Sequence, residues 1–359
     1  MRIYKIAILG GDGIGPEIMS VALRILDKLE DRFGFTTERI PIEGGAEYYR
    51  DTGQDLENDG IETARSTDAI LFGAMGLPDV RFPDGTEIAP HLTMRAEFGL
   101  FAGVRPVRRF PNTPSPLGSP EAENIDLVVL RESTEGLFAS RGKGTLTDDT
   151  RATDTMVITR PTCEKLFDFA VALTRRRKLS GRGKGRLTCV DKSNVFVSMA
   201  FFRKIFGERT QMATDVCADY AYVDAVALDL VRKPWEFDVL VMENMFGDIL
   251  SDLGGGLVGG MGMAPCAEMG LDHALFQPAH GTAPDIAGTG RANPTAMILS
   301  TAMMLDWLAM QHDDLRLREA GEALDLAVYQ SYADAAILPM EFGGASDMET
   351  VANAVLNRL

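Results

Sequence analysis

Cysteine is scarce. The 359 residues include four, Cys163, Cys189, Cys217 and Cys266. They lie far apart and match neither a zinc-ligand spacing nor a disulfide framework, so they read as reduced, mostly buried thiols of a cytoplasmic protein. Long apolar runs are also missing. The nearest approach, Gly254 to Cys266, is rich in glycine and too short to cross a bilayer. The opening Met-Arg-Ile-Tyr-Lys-Ile-Ala-Ile-Leu enters a strand without a secretory pattern. Positive charge is in deficit: 36 basic against 52 acidic residues leave a net charge of -16, which repels nucleic acid and anionic membranes. An anionic small ligand must then be held by a local basic cluster working against that field. There is no internal repeat and no low-complexity tail. What remains, 45% hydrophobic and 25% charged, is the balance of an ordinary soluble globular chain, long enough for two domains.

Strand and helix signals alternate from the start, which predicts parallel α/β architecture. Ile6–Leu9 reads as a strand, followed by Gly10-Gly-Asp-Gly-Ile-Gly-Pro-Glu17 and a helix to about Leu29. The glycine spacing is not G-x-G-x-x-G, and Pro16 sits where a pyrophosphate would meet the helix N-terminus. The stretch therefore predicts a tight turn that something approaches closely rather than a Rossmann site. Gly73-Ala-Met-Gly76 leaves the carboxyl end of a strand, where open α/β sheets bind ligands. Residues 139–158 are polar and predict an exposed hairpin arm. Arg175-Arg-Arg-Lys178 closes a helix and reads as a solvated basic turn. Gly254 to Gly262 reads as a flexible interdomain crossover. The expected domains are 1–100 with 255–359, and 101–254.

The chemistry centres on Phe237 to Asp252, a short apolar strand running into a helix for which Asn244 is a plausible N-cap. Asp248 and Asp252 fall four apart on one helical face, an arrangement that costs an isolated helix about 0.2–0.5 kcal/mol. They are either a solvated face or a cation site. Arg95, Arg105 and Arg131 each sit near an element end, and a guanidinium fork suits a carboxylate. With Asp224 the aspartates form a hard oxygen set, suited to magnesium or manganese rather than zinc. Lys192, between a strand and a helix, is a candidate general base.

These residues carry a family resemblance. The chain resembles the metal-dependent β-decarboxylating dehydrogenases of 3-isopropylmalate, isocitrate, homoisocitrate, tartrate and D-malate almost end to end. The shared motifs are Gly11-Asp-Gly-Ile-Gly-Pro-Glu17, Arg95 with Arg105-Pro106, Arg131-Glu-Ser-Thr-Glu-Gly136 and Val190-Asp-Lys-Ser-Asn194. They continue through Tyr222-Val-Asp224, Asn244-Met-Phe-Gly-Asp-Ile-Leu-Ser-Asp252, and His280-Gly-Thr-Ala-Pro-Asp-Ile-Ala-Gly288 with Asn293. The resemblance implies a homodimer of subunits with two α/β domains and a cleft between them, not a Rossmann fold. It implies that Arg95, Arg105 and Arg131 clamp substrate carboxylates and that Asp248 and Asp252 hold Mg2+ or Mn2+. Asp224 and Lys192 would reach that site from a second copy, with Lys192 taking the hydroxyl proton. Gly76, His280, Gly281, Ala283, Pro284, Asp285, Ile286 and Asn293 would bind the nicotinamide cofactor. A carboxylate at Asp285 facing the adenosine ribose, without a Lys or Tyr at Ile286, favours NAD over NADP.

Two positions depart from the family. Phe138 stands where most members carry a tyrosine that protonates the enolate. Ile88 falls at the position that recognises the substrate's substituent, where an alkyl group would be accepted and a third carboxylate would not; a shift of one residue gives Glu87 that role. The substrate expected is 3-isopropylmalate or a close 3-alkylmalate, then tartrate or D-malate. A non-redox metal-dependent lyase and a catalytically impaired dimeric binding protein are the alternatives from other classes.

Overall fold

The computed structural model describes residues 2–359. The chain divides into two compact units, one running to Leu100 with Phe110–Pro114 and Gly259–Leu359, the other Phe101–Arg109 with Ser115–Val258.

The first unit opens with β1 (Ile3–Gly11), α1 (Gly15–Phe33), β2 (Thr36–Pro41), α2 (Ala46–Thr52), α3 (Gly60–Arg65), β3 (Ala69–Ala74) and α4 (Pro90–Glu97). The second contains β4 (Ala102–Arg108), β5 (Asp126–Glu132), β6 (Thr145–Thr147), β7 (Arg151–Thr153), α5 (Arg160–Leu179), β8 (Arg186–Asp191) and α6 (Val197–Thr210). It continues through β9 (Cys217–Tyr222), α7 (Val223–Arg232), β10 (Val239–Met242) and α8 (Asn244–Leu257). The chain then returns to the first unit with β11 (Pro265–Met269), β12 (Ala274–Pro278), α9 (Thr295–His312), α10 (Leu315–Ala333) and α11 (Met348–Leu356).

Strands of the first unit lie in the order β2-β1-β3-β12-β11, and those of the second in the order β4-β5-β10-β8-β9. Most pairs are parallel, but β11 with β12 and β4 with β5 are antiparallel. The fold is mixed α/β. Continuous apolar strands such as β3 and β10, buried along their whole length, are what a sheet covered on both faces requires. Leu9, Ile70, Phe72, Met94 and Leu275 pack one core of the first unit. In the second, Phe167 packs edge-on against Phe202 and Phe206 at ring separations of 4.7 and 5.3 Å, which pins α5 to α6.

Two expectations change. The glycines at 254–256 do not form a crossover: α8 runs through them to Leu257, and Gly254 lies against Val107 of β4 where a Cβ would meet a methyl at 2.5 Å. Helical hydrogen bonds hold that glycine run, so the division falls at Gly259, whose φ of 129° suits only glycine. The basic turn of α5 is not wholly solvated. Arg177 is buried, with Nε donating to Asp238 at 2.7 Å and a second nitrogen to Asp126 at 3.0 Å. The arm is a two-stranded hairpin, β6 against β7, exposed at every position.

Candidate active site

The turn after β1 shows what its glycines admit. The Asp12 amide donates to the Ala74 carbonyl at 2.7 Å, and that of Ile14 to Thr282 at 2.9 Å. A Cβ on Gly11 would stand 2.1 Å from the Ala74 oxygen. The close visitors are the chain's own β3 and the 280s loop. Asp12, almost fully buried, accepts hydrogen bonds from the amides of Ala46, Glu47 and Gly76 at 2.8 Å each. One carboxylate therefore ties the start of α2 to the turn at Gly76, a role that the surrounding glycines hid.

Gly76 uses its carbonyl as well, accepting from Thr282 Oγ1 at 2.7 Å. The loop anchored there carries His280, whose Nδ1 lies 2.8 Å from the Gly281 carbonyl; burial lowers its pKa, so the neutral ring is favoured. Ala283 takes a left-handed φ of 39° and starts the short turn Pro284–Ile286, which leaves Gly281, Ala283, Pro284 and Asp285 exposed. This exposed carboxylate and backbone are fit to meet a ribose. Asn293 differs. It is buried, donating to Glu341 at 3.0 Å and accepting from Thr295 Oγ1 at 2.8 Å, and so serves the start of α9.

Ile88 is fully buried and meets no solvent, which removes it as a substituent-recognising surface. Glu87, its neighbour, is exposed and would lie 2.9 Å from a Cβ on Gly76. Of the two residues, Glu87 is the one that reaches solvent. Arg95 is also buried, with its terminal nitrogen 2.7 Å from Glu268.

In the second unit α8 meets β5. Arg131, 2% exposed, donates from Nε and one terminal nitrogen to Asn244 Oδ1 at 2.9 and 2.6 Å, and from the other to Asp248. Asn244 is not the N-cap. Glu243 is, accepting from the amides of Met245 and Phe246, which frees the Asn244 amide to grip Arg131 and the Glu135 carbonyl. Gly247 makes the approach possible, since a Cβ there would fall 2.6 Å from that of Arg131. Arg105 reaches Ser251 Oγ at 3.4 Å. Burial and then the charge of Asp248 push the Asp252 carboxyl up, against the pull of Arg105 and Arg131. A cation at this face would relieve that repulsion, so the donor set fits a hard divalent ion. The ring of Phe138 lies over Arg131.

Lys192 and Asp224 form a separate pair, Nζ to Oδ1 at 2.5 Å, and this hydrogen bond holds the Asp224 carboxyl below the usual range. The Lys192 loop is fixed from behind by fully buried Asp191, ion-paired with Arg203 at 2.6 Å. Among the described residues no three His, Cys, Asp or Glu side chains gather into a metal cluster. Asp224 thus does not complete the Asp248–Asp252 face within one chain.

A family profile described as isocitrate/isopropylmalate dehydrogenase matches residues 5–353. The chain belongs to that family. It is 37% identical over 357 residues to a 3-isopropylmalate/3-methylmalate dehydrogenase of Methanocaldococcus jannaschii, covering 99% of each chain. It is 37% identical over 361 residues to a homoisocitrate dehydrogenase of the same organism, covering 98% of this chain and 97% of that one. The crystal structure of isocitrate dehydrogenase from Methylococcus capsulatus superposes with a TM-score of 0.85 at 31% identity, covering 99% of both chains. This member of the isocitrate/isopropylmalate dehydrogenase family is a dehydrogenase with that family's fold, which sets aside the lyase and binding-protein alternatives. These relatives do not favour the tartrate and D-malate alternative. No helix among the described residues is long and apolar enough to cross a membrane.

Proposed function

We propose that this dehydrogenase oxidises and decarboxylates a 2-hydroxy dicarboxylic acid, 3-isopropylmalate or a related 3-substituted malate, with NAD and Mg2+ or Mn2+. The observation that carries the reading is the lock between Arg131 and the aspartate face of α8, where a buried guanidinium meets a prospective ion ligand. Asp248 and Asp252 would hold the ion, with Asp224 of a second copy. When bound, the ion supplies Lewis-acid stabilisation of negative charge on substrate oxygen, and the nicotinamide supplies a hydride acceptor.

The chain's own residues do the rest. Arg105 and Arg131 orient a carboxylate from rigid strands, and burial keeps their charge unscreened. Lys192, as the neutral amine, takes the substrate hydroxyl proton, relayed through Asp224, which is already within hydrogen-bond reach, or through water. Asp285 accepts from the adenosine ribose and repels a 2′-phosphate. Phe138 gives no proton, so water protonates the enolate beside Arg131.

A homodimer follows from the same reading. Val195, Phe196, Val197, Leu228, Val231 and Ile249 are exposed apolar residues around the Lys192 loop, α7 and α8, which a second copy would cover. Three buried cysteines and one exposed cysteine, kept as thiols, suit the cytoplasm. Chelation tests the metal assignment: treated protein should reduce no NAD with 3-isopropylmalate until Mg2+ or Mn2+ is restored. Full turnover after chelation would remove the ion from the account.

A further inference from the structure

The turn after β1 forms a closed ring of hydrogen bonds with the turn at Gly76 and the loop after β12, all within the first unit. Asp12, 1% exposed, accepts from three backbone amides, Oδ2 from Ala46 and Gly76 and Oδ1 from Glu47, each at 2.8 Å. A carboxylate this deep is tolerable because donors meet both of its oxygens. Gly76 passes the constraint on. Its carbonyl accepts from Thr282 Oγ1 at 2.7 Å, and the Thr282 carbonyl accepts from the Ile14 amide at 2.9 Å. Ile14 stands two residues after Asp12, which closes the ring. Gly13 lets the two loops meet: its φ is 58°, and a Cβ there would stand 2.3 Å from the Thr282 oxygen.

Gly76 and the residues on either side of Thr282 are those assigned to the nicotinamide nucleotide. Thr282 itself is buried, its hydroxyl engaged by Gly76, whereas Gly281 and Ala283 beside it are exposed. Ala283 holds a left-handed φ of 39°, a conformation that an unrestrained alanine leaves. Thr282 is the fixed point that keeps it. A loop held in its binding shape before the ligand arrives loses less entropy on binding.

We propose that Asp12 and Thr282 are positioning residues of the cofactor site, holding Gly76 and the 280s loop ready for the nicotinamide nucleotide and so setting its affinity. The proposal rests on the reading that this loop binds the cofactor, and deepens it.

The test measures NAD affinity by calorimetric titration, with KM for NAD and for 3-isopropylmalate in the presence of Mg2+, in the wild type, T282V, T282S and D12N. T282V keeps the shape of the side chain but removes the donor to the Gly76 carbonyl. It is expected to weaken NAD binding and raise KM for NAD about five- to tenfold. KM for 3-isopropylmalate and kcat at saturating NAD stay within about twofold. T282S retains the hydroxyl and the wild-type affinity. D12N turns an amide nitrogen toward a backbone N–H, opens the ring from the other side and shifts NAD affinity in the same direction. A purely structural role would lower Tm in T282V and leave the NAD constants of the folded enzyme unchanged, and that result overturns the proposal. Hydrogen exchange on the wild type needs no variant to fold. The Ile14 and Gly76 amides are expected to be protected before NAD is added, and protection that appears only with NAD overturns the proposal as well. D285A separates the failures. If D285A binds NAD as tightly as the wild type, or the wild type binds no nicotinamide nucleotide, the cofactor reading falls and takes Asp12 and Thr282 with it. If D285A is weakened and T282V is not, Asp12 and Thr282 alone fall.

Discussion

The guanidinium carbon of Arg131 lies 4.9 Å from the centroid of the Phe138 ring. Phe138 is 37% exposed at the edge of the short helical turn Leu137–Ser140, so the ring covers the arginine without sealing it. Such a contact contributes about 0.5–1 kcal/mol at an exposed site.

Phe138→Tyr adds a phenol at the same place without disturbing the stack. It is expected to raise carbon dioxide release relative to NADH formation, measured on one sample by trapped gas and absorbance. Phe138→Ala should instead raise the substrate KM about two- to fivefold through the lost contact. An unmoved gas-to-NADH ratio in the tyrosine variant would show that Phe138 is not the relevant departure.

Much of this site was legible because its chemistry depends on residue type at fixed spacing. The Asp248–Asp252 face follows from helical periodicity and Arg131 from where apolar β5 ends, whereas Arg105 lies in the middle of β4 and not at an element end. What escaped depends on three-dimensional partners. Asn244 and Glu243 are neighbours that both suit a helix start, and only the approach of Arg131 decides that Glu243 caps while Asn244 grips. Ile88 and Glu87 differ by one residue, and burial alone shows which faces outward. Strands β4, β9 and β11 gave weak signals because β4 contains Pro106, β9 is largely exposed and β11 carries Glu268.

Lys192→Met removes the candidate base while keeping a side chain of similar length. The expected loss in kcat is about 10²- to 10⁴-fold, with substrate and NAD KM values changing little. A variant turning over within a few-fold of the wild type would assign proton transfer elsewhere.

Glu132, next to Arg131, titrates at about 7 rather than 4.5 because burial disfavours its charge, against hydrogen bonds from Thr134 and the Glu135 amide. The folded chain holds a proton between those values that the unfolded chain has lost. Stability therefore falls as pH rises through that window, by on the order of 3 kcal/mol at most. Glu132→Gln, neutral throughout, should raise Tm by several degrees at about pH 8 and change it little at about pH 5. Equal shifts at both pH values would contradict a buried, proton-holding carboxyl.

Asp285 and Ile286 lie on an exposed turn, so changing them does not disturb the core. Asp285→Lys with Ile286→Tyr is expected to shift the ratio of kcat/KM for NADP over NAD upward by at least about tenfold. A constant ratio would mean that the adenosine ribose is read by other residues.

The most direct test is cofactor reduction across a panel of 2-hydroxy acids, 3-isopropylmalate, 3-methylmalate, D-malate, tartrate and isocitrate, with Mg2+ or Mn2+ and each nicotinamide. The account predicts NADH formation with carbon dioxide release, greatest for a 3-alkylmalate, abolished by chelation and weaker with NADP. Absence of turnover with every malate, or reduction that needs no divalent ion, would contradict it.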